Sequence, residues 1–179
     1  MTTTDRRQLL TEAAFAAVAK SGLEGLRLRP VAKAAGIDHS TLHHHFATKQ
    51  DLVAAVVEMA TRPLWGTIPE NGAPAERLRT HLEILARLMG ERPELFTVLA
   101  EIDLRANRDP AVAELVAGVE TGWRRGLEHL FRAMKVDEPA IEVELVIATV
   151  KGIRLEPDAA PDVLARLANH LIDSEGHQP

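Results

Sequence analysis

The chain contains no cysteine and no tyrosine. Without cysteine, disulfide cross-links, thiolate metal ligands and thiol nucleophiles are excluded. Aromatic residues make up only 3% of the 179 residues, four Phe and two Trp, although 46% are hydrophobic. The core must therefore be built from Leu, Ala, Val and Ile, a composition that favours helices over strands. No uninterrupted apolar run approaches the roughly 18 residues of a membrane span. The opening Met1-Thr-Thr-Thr-Asp-Arg-Arg7 lacks the long apolar stretch of a secretory signal. The expectation is a soluble, cytoplasmic protein with no membrane partner.

Positive charge is also scarce, and its distribution matters more than its sum. The net charge is −5, which by itself argues against a polyanionic partner. Residues 1–62, however, hold 8 Lys/Arg against 6 Asp/Glu, and the remainder holds 13 against 20. Four of the eight histidines, at positions 39, 43, 44 and 45, lie in the first segment. A mildly basic head on an acidic body fits a nucleic-acid-binding domain joined to a regulatory one.

What is present is helical periodicity throughout. Leu9, Leu10, Ala13, Ala14, Ala17 and Val18 recur at i, i+3, i+4 and predict a helix from about Asp5 to Lys20, closed by Ser21-Gly22. A second helix is predicted from near Pro30 to Gly36, since proline is tolerated in a first helical turn. A short third follows over about Asp38 to Phe46, with Asp38 as its N-cap. Thr48-Lys-Gln-Asp51 has the form of a capping box with Asp in place of the usual Glu, and opens a fourth helix to about Arg62. Pro63, Gly66, Pro69, Gly72 and Pro74 then cluster as a domain boundary. Further helices are predicted at about 75–91, 93–107, 110–134, 139–154 and 161–174. Glu→Arg pairs at i, i+4, namely Glu83/Arg87, Glu101/Arg105, Glu120/Arg124 and Glu128/Arg132, mark solvent-facing stripes on them.

Within this pattern Val31 to Phe46 reads as helix, glycine turn, helix. Ala32 is small enough for two helices to cross closely, Gly36 supplies the positive φ of a tight turn, and Val31 and Leu42 fill the angle between them. Such a unit places its second helix in the DNA major groove. Lys49 and the Thr48 cap stand at a helix N-terminus, where free N–H groups favour an anion such as a DNA phosphate. His39, Ser40, Thr41, His43 and His44 occupy the second helix and are positioned for base edges or phosphates. Arg27 and Arg29, with Arg6 and Arg7, are candidates for lining the DNA backbone. His45 and Phe46 are expected to pack the domain. His39 and His43 have the i, i+4 spacing of helical metal pairs, but two ligands do not close a site, so no metal and no cofactor is expected.

These residues carry a resemblance. Gly25 to Leu52 closely resembles the N-terminal domain of TetR-family transcriptional regulators. The matching features, in order and spacing, are Val31-Ala32, Ala35-Gly36, Thr41-Leu42, His45-Phe46, Lys49 and Leu52. Two positions depart from the pattern: His43 replaces the usual Tyr after Thr-Leu, and Arg27 replaces a Thr common before the second helix. The resemblance implies an all-α protein of about nine helices. Residues 1–62 would form a three-helix helix-turn-helix domain, and residues 63–179 a helical ligand-binding and dimerisation domain. It further implies a ligand-responsive repressor that binds a palindromic, double-stranded DNA operator as a homodimer, with an unidentified small-molecule effector. Met89, Phe96, Leu99, Asp103, Trp123 and Leu127 are candidate effector-binding residues. The segment Leu145-Val-Ile-Ala-Thr-Val150 is apolar nearly all round and calls for burial on more than one side. A two-fold four-helix bundle would supply it, through Leu145, Ala148, Thr149, Gly152, Leu164, Leu167 and Leu171.

Two rival classes are weaker. An enzyme lacks its marks: there is no nucleophile elbow, no phosphate-binding glycine loop and no zinc motif, and Glu101 with Asp103 reads as a solvated helix face. A helical interaction protein with a purely structural helix-turn-helix is separated from the main reading by salt-dependent, sequence-selective DNA binding.

Overall fold

The computed structural model describes residues 3–173. Among them are nine α-helices and no strand: α1 (Thr3–Gly25), α2 (Leu28–Ala34), α3 (His39–His45), α4 (Lys49–Thr61), α5 (Pro74–Glu91), α6 (Pro93–Ala106), α7 (Pro110–Met134), α8 (Pro139–Ile153) and α9 (Ala160–Asp173). Prolines stand in the first turn of six of them, α2 and α5 to α9, as expected where an N–H has no helical partner. The predicted helices are all present, with boundaries moved by a few residues. The largest shift is in α1, which runs on to Gly25 through a break at Gly22, where φ is 68° and ψ 170°.

The chain packs as two compact units that are not contiguous in sequence. The first comprises the residues up to Pro63 together with Thr97–Val116, and the second comprises Leu64–Phe96 together with the residues from Ala117 onward. Residues 97–116, which a simple division after residue 62 leaves in the second domain, thus pack with the first.

In the first unit α1 lies against α2, α3 and α4. Its buried stripe is Leu10, Ala14, Phe15 and Val18, while Leu9 is 36% exposed and lies off it. Val31, Ala32, Leu42, Phe46, Leu52 and Val56 complete a core of which almost nothing reaches solvent. In the second unit α9 packs chiefly on α5 and also on α8. Leu78, Leu82, Leu85 and Met89 of α5, Leu127, Leu130 and Phe131 of α7, and Leu164 and Leu171 of α9 are buried there.

The expected i, i+4 stripes are largely replaced by bridges between helices. Glu128 and Arg132 do pair, at 2.6 Å. Arg105 instead holds Glu24 of α1 at 2.6 Å and Asp109 at 2.9 Å. Arg124 pairs with Glu144, and Glu120 with Lys151. Beside Arg105 the Asp109 carboxyl is held below the usual carboxylate range, mainly by the hydrogen bond from that guanidinium.

Candidate nucleic-acid interface

The turn between α2 and α3 is closed by the backbone. Gly36 N–H donates to the Lys33 carbonyl at 3.1 Å and Ile37 N–H to the Ala32 carbonyl at 2.9 Å. This pair of bonds is the Schellman ending, which requires a left-handed residue between. Gly36 supplies it with φ 66°. Leu42, with no exposed surface, and Ala32 and Val31, each 1% exposed, fill the angle between the helices. Asp38 does stand at the N-cap of α3, but its side chain makes no capping bond. The backbone bond from Leu42 N–H to the Asp38 carbonyl serves there instead.

With Leu42 and Phe46 turned inward, the other side chains of α3 face outward. Ser40, His43 and His44 are exposed, and His39 and Thr41 are half-buried. The His39 and His43 rings meet edge to face with centroids 4.8 Å apart. Among the described residues no group of three or more metal-ligating side chains is gathered anywhere.

The far end of α3 is set by a residue whose role the sequence does not announce. Arg7 of α1 donates from Nη1 to the His45 carbonyl at 2.6 Å, and its guanidinium lies over the Phe46 ring, 4.2 Å from the centroid. Such a cation–π contact contributes about 0.5–1 kcal/mol at a partly solvated site. It also satisfies a carbonyl at the end of a short helix. Arg7 was a candidate for the DNA backbone, and here it positions α3.

The start of α4 carries the capping box that the sequence predicts. Asp51 N–H donates to Thr48 Oγ1 at 3.1 Å, and Thr48 N–H donates to Asp51 Oδ2 at 2.8 Å. Lys49 occupies the first helical position beside it, exposed. Arg29 is exposed on α2. Arg27 is exposed as well, but its Nη1 is folded back onto the Glu24 and Leu26 carbonyls at the end of α1. The N-cap of α2 is thereby left without a side-chain hydrogen bond, and the guanidinium instead donates to carbonyls at the end of the preceding helix.

Of the candidate effector residues, Leu99 and Asp103 belong to the first unit, and Met89, Phe96, Trp123 and Leu127 to the second. Met89, Phe96, Leu99 and Leu127 are buried, while Asp103 and Trp123 are half-buried. Within the second unit the structure adds His81, which periodicity alone does not single out. It is 1% exposed and accepts from the Trp123 indole N–H through Nε2 at 2.9 Å. Burial pushes its imidazole down to about 4, and the backbone at Thr67 opposes the shift. The signal that finds it is its place among Leu78, Leu82 and Leu85, a histidine on an apolar helix face. A groove of about 440 Å³ between α5 and α9 is lined by Leu82, Ala86, Leu164 and Ala168 with Arg79 and Arg87, and none of the candidate effector residues lines it.

The residues expected at the dimer interface divide into two groups. Leu145, Ala148 and Gly152 of α8 are exposed and Thr149 is half-buried. Ile141, 57% exposed, extends their stripe by a turn. Leu164, Leu167 and Leu171 of α9 are instead buried within the chain, because α9 turns its apolar stripe toward α5. Those three are core, and the α9 side chains left outward include Val163, Arg166 and His170.

Residues 10–56 match the family described as bacterial regulatory proteins, tetR family, and residues 74–175 match the C-terminal domain of BetI-type transcriptional repressors. The chain is 33% identical to the HTH-type transcriptional regulator PksA of Bacillus subtilis over 166 residues, covering 84% of this chain and 77% of that protein. It is 28% identical to the HTH-type transcriptional regulator CymR of Pseudomonas putida, over 80% of this chain and 75% of that one. A solved transcriptional regulator from Rhodococcus sp. Rha1 superposes with a TM-score of 0.80 at 29% identity, covering 93% of this chain and 94% of that chain.

Proposed function

Because the chain belongs to the TetR family of bacterial regulatory proteins, and so is a DNA-binding transcriptional regulator rather than an enzyme, we propose that it acts in the cytoplasm as a dimeric, effector-responsive repressor on a palindromic operator. The observation that carries this reading is the division of labour on α3 and at the start of α4. Leu42 and Phe46 anchor the recognition helix from below, leaving Ser40, Thr41, His43 and His44 outward beside the exposed Lys49. Those outward side chains read the major groove. The α4 N-terminus, with Thr48 spent on the capping box, offers Lys49 and backbone N–H groups to one phosphate.

A palindrome needs two heads about 34–36 Å apart. The apolar stripe of Ile141, Leu145, Ala148 and Gly152 supplies the self-complementary surface for a second copy. An effector lowers operator affinity by binding best to a head spacing that the operator does not match.

The test is binding to duplex DNA from upstream of the gene, against an unrelated duplex, over a range of salt. Selective binding at two chains per site is expected, weakening steeply with salt. Lys49→Ala should weaken it across all sequences and flatten the salt dependence by about one phosphate per head, with unchanged helical circular dichroism. Unchanged affinity in Lys49→Ala removes the phosphate contact. Absence of selectivity for any genomic fragment removes the repressor.

A further inference from the structure

His81 is the single buried ionisable side chain among the described residues. Its surroundings are apolar on both helices that hold it: Leu78, Leu82 and Leu85 flank it on α5, and Leu127 lies one turn beyond its partner Trp123 on α7. The Trp123 indole N–H donates to Nε2 at 2.9 Å, with the two rings edge to face and 6.1 Å between centroids. An imidazole that accepts through Nε2 is neutral and carries its proton on Nδ1. That Nδ1–H is buried, and although the Thr67 backbone lies beside the ring it makes no hydrogen bond of normal geometry. A donor so poorly met in an apolar interior is costly, and a ligand acceptor that takes its place in good geometry gains what the fold leaves unmet.

The segment over this pair is built as a strap. Gly66 and Gly72 bracket it with φ of 71° and 112°. Between them Thr67 is buried and its backbone interacts with the His81 imidazole. Ile68 lies over Gly126 of α7, its Cδ1 only 2.8 Å from where a Cβ there would stand. Arg77 Nε ties the strap down through the Pro69 carbonyl at 2.6 Å.

We propose that His81 Nδ1–H is the polar recognition point for the effector, and that the effector is a mainly apolar small molecule bearing a neutral hydrogen-bond acceptor, a ketone, ester or amide carbonyl, admitted by displacement of the 66–72 strap. The inference rests on the effector-responsive reading above. A carboxylate is disfavoured because no Lys or Arg side chain among the described residues is buried to replace its lost hydration. A cation is disfavoured because the group offered is a donor.

The test uses the full chain, labelled with 15N-histidine, and three probes of similar size: acetophenone, benzoate and cumene. Acetophenone should shift the His81 Nδ1–H signals and bind about tenfold tighter than cumene or benzoate, the scale of one buried hydrogen bond. His81→Leu should bind cumene and acetophenone alike. Should that variant not fold, Trp123→Phe keeps the imidazole but frees its tautomer, and should lose most of the preference for acetophenone. Unmoved His81 signals on adding acetophenone, or a tenfold preference surviving in either variant, overturns the proposal. Operator binding measured on the same preparations separates the two readings. A protein that holds its operator selectively while its His81 signals ignore acetophenone refutes the recognition point alone. One whose His81 responds without any selective operator refutes the repressor alone.

Discussion

The helix-turn-helix and the second unit solve the same problem, fixing the angles between helices, with different bonds. Around α3 the determinants are mostly backbone and local: the paired bonds across Gly36, the reciprocal bonds between Thr48 and Asp51, and Val31, Ala32 and Leu42 in the angle, with the bond from Arg7 at the far end as the long-range exception. In the second unit apolar packing among the helices is joined by side-chain bonds between residues far apart in sequence: Trp123 to His81 at the core, and the partly solvent-exposed pairs of Arg124 with Glu144 and Lys151 with Glu120. Local backbone closure gives a rigid, repeatable shape, which a helix entering a groove of fixed dimensions needs. Distant polar pairs have alternative partners and solvated states, which suits the effector response proposed for this unit.

The sharpest way to break the rigid side is Phe46→Ala. The ring is fully buried and supports the Arg7 guanidinium that holds the end of α3. Removing it should destabilise the chain by about 3–5 kcal/mol, measured by urea unfolding. Specific DNA binding should be lost even at concentrations and temperatures where the second unit stays folded. A loss below about 1 kcal/mol would mean that α3 is not seated through this ring.

The second unit is tested by acid. His81 titrates at about 4 in the fold against about 6.5 in an unfolded chain. Between those values the unfolded state binds the extra proton. Stability is therefore full above about pH 6.5 and is lost as pH falls toward 4, by about 3 kcal/mol in all. Unfolding free energies at pH 7 and pH 4.5 should differ accordingly, and His81→Leu should remove most of that His-dependent slope. An identical slope in the variant would place the acid sensitivity elsewhere.

The two units also differ in how much of them can be read from sequence. Gly36, Leu42, Phe46, Thr48 and Asp51 act on neighbours within a few positions, so their spacing announces the turn, the anchor and the cap. The roles of Arg7 and His81 depend on what the fold brings alongside. A guanidinium over Phe46 and an imidazole paired with Trp123 join residues 38 or more positions apart and have no local signature. The same holds for Leu164, Leu167 and Leu171. Their stripe announces burial but not against which partner, and α5 takes the place a second chain was expected to fill. Residues 97–116 show the limit at domain scale, since helical periodicity says nothing of the unit on which a helix packs.

A smaller contrast lies within the first unit, at two left-handed glycines. Gly36 has open space where a Cβ would go, so Gly36→Ala should cost only the left-handed backbone, about 1 kcal/mol. At Gly22 the combination of φ 68° and ψ 170° is nearly exclusive to glycine. An added Cβ would also stand 2.6 Å from Glu101 Oε2, the oxygen that accepts from Leu23 N–H at 3.3 Å. Moving the carboxylate breaks that bond, so Gly22→Ala should cost about 2–3 kcal/mol. Equal losses in thermal unfolding of the two variants would show that Glu101 yields freely and does not brace the break in α1.

The smallest effect comes from the same helix ending in both units. After α7, Lys135 N–H donates to the Arg132 carbonyl at 3.1 Å and Val136 N–H to the Phe131 carbonyl at 3.2 Å, the bond pattern found at Gly36 and Ile37. The second unit, however, places a lysine at the left-handed position, with φ 60°. A side chain there is strained by about 1 kcal/mol, part of which glycine gives back through its freer unfolded chain. Lys135→Gly should therefore stabilise the protein by about 0.5 kcal/mol, a rise of about 1–2 °C in Tm for a chain of this size, with DNA affinity unchanged because the position lies outside the reading head. A fall in Tm would mean that the Lys135 side chain makes a compensating contact larger than its backbone strain.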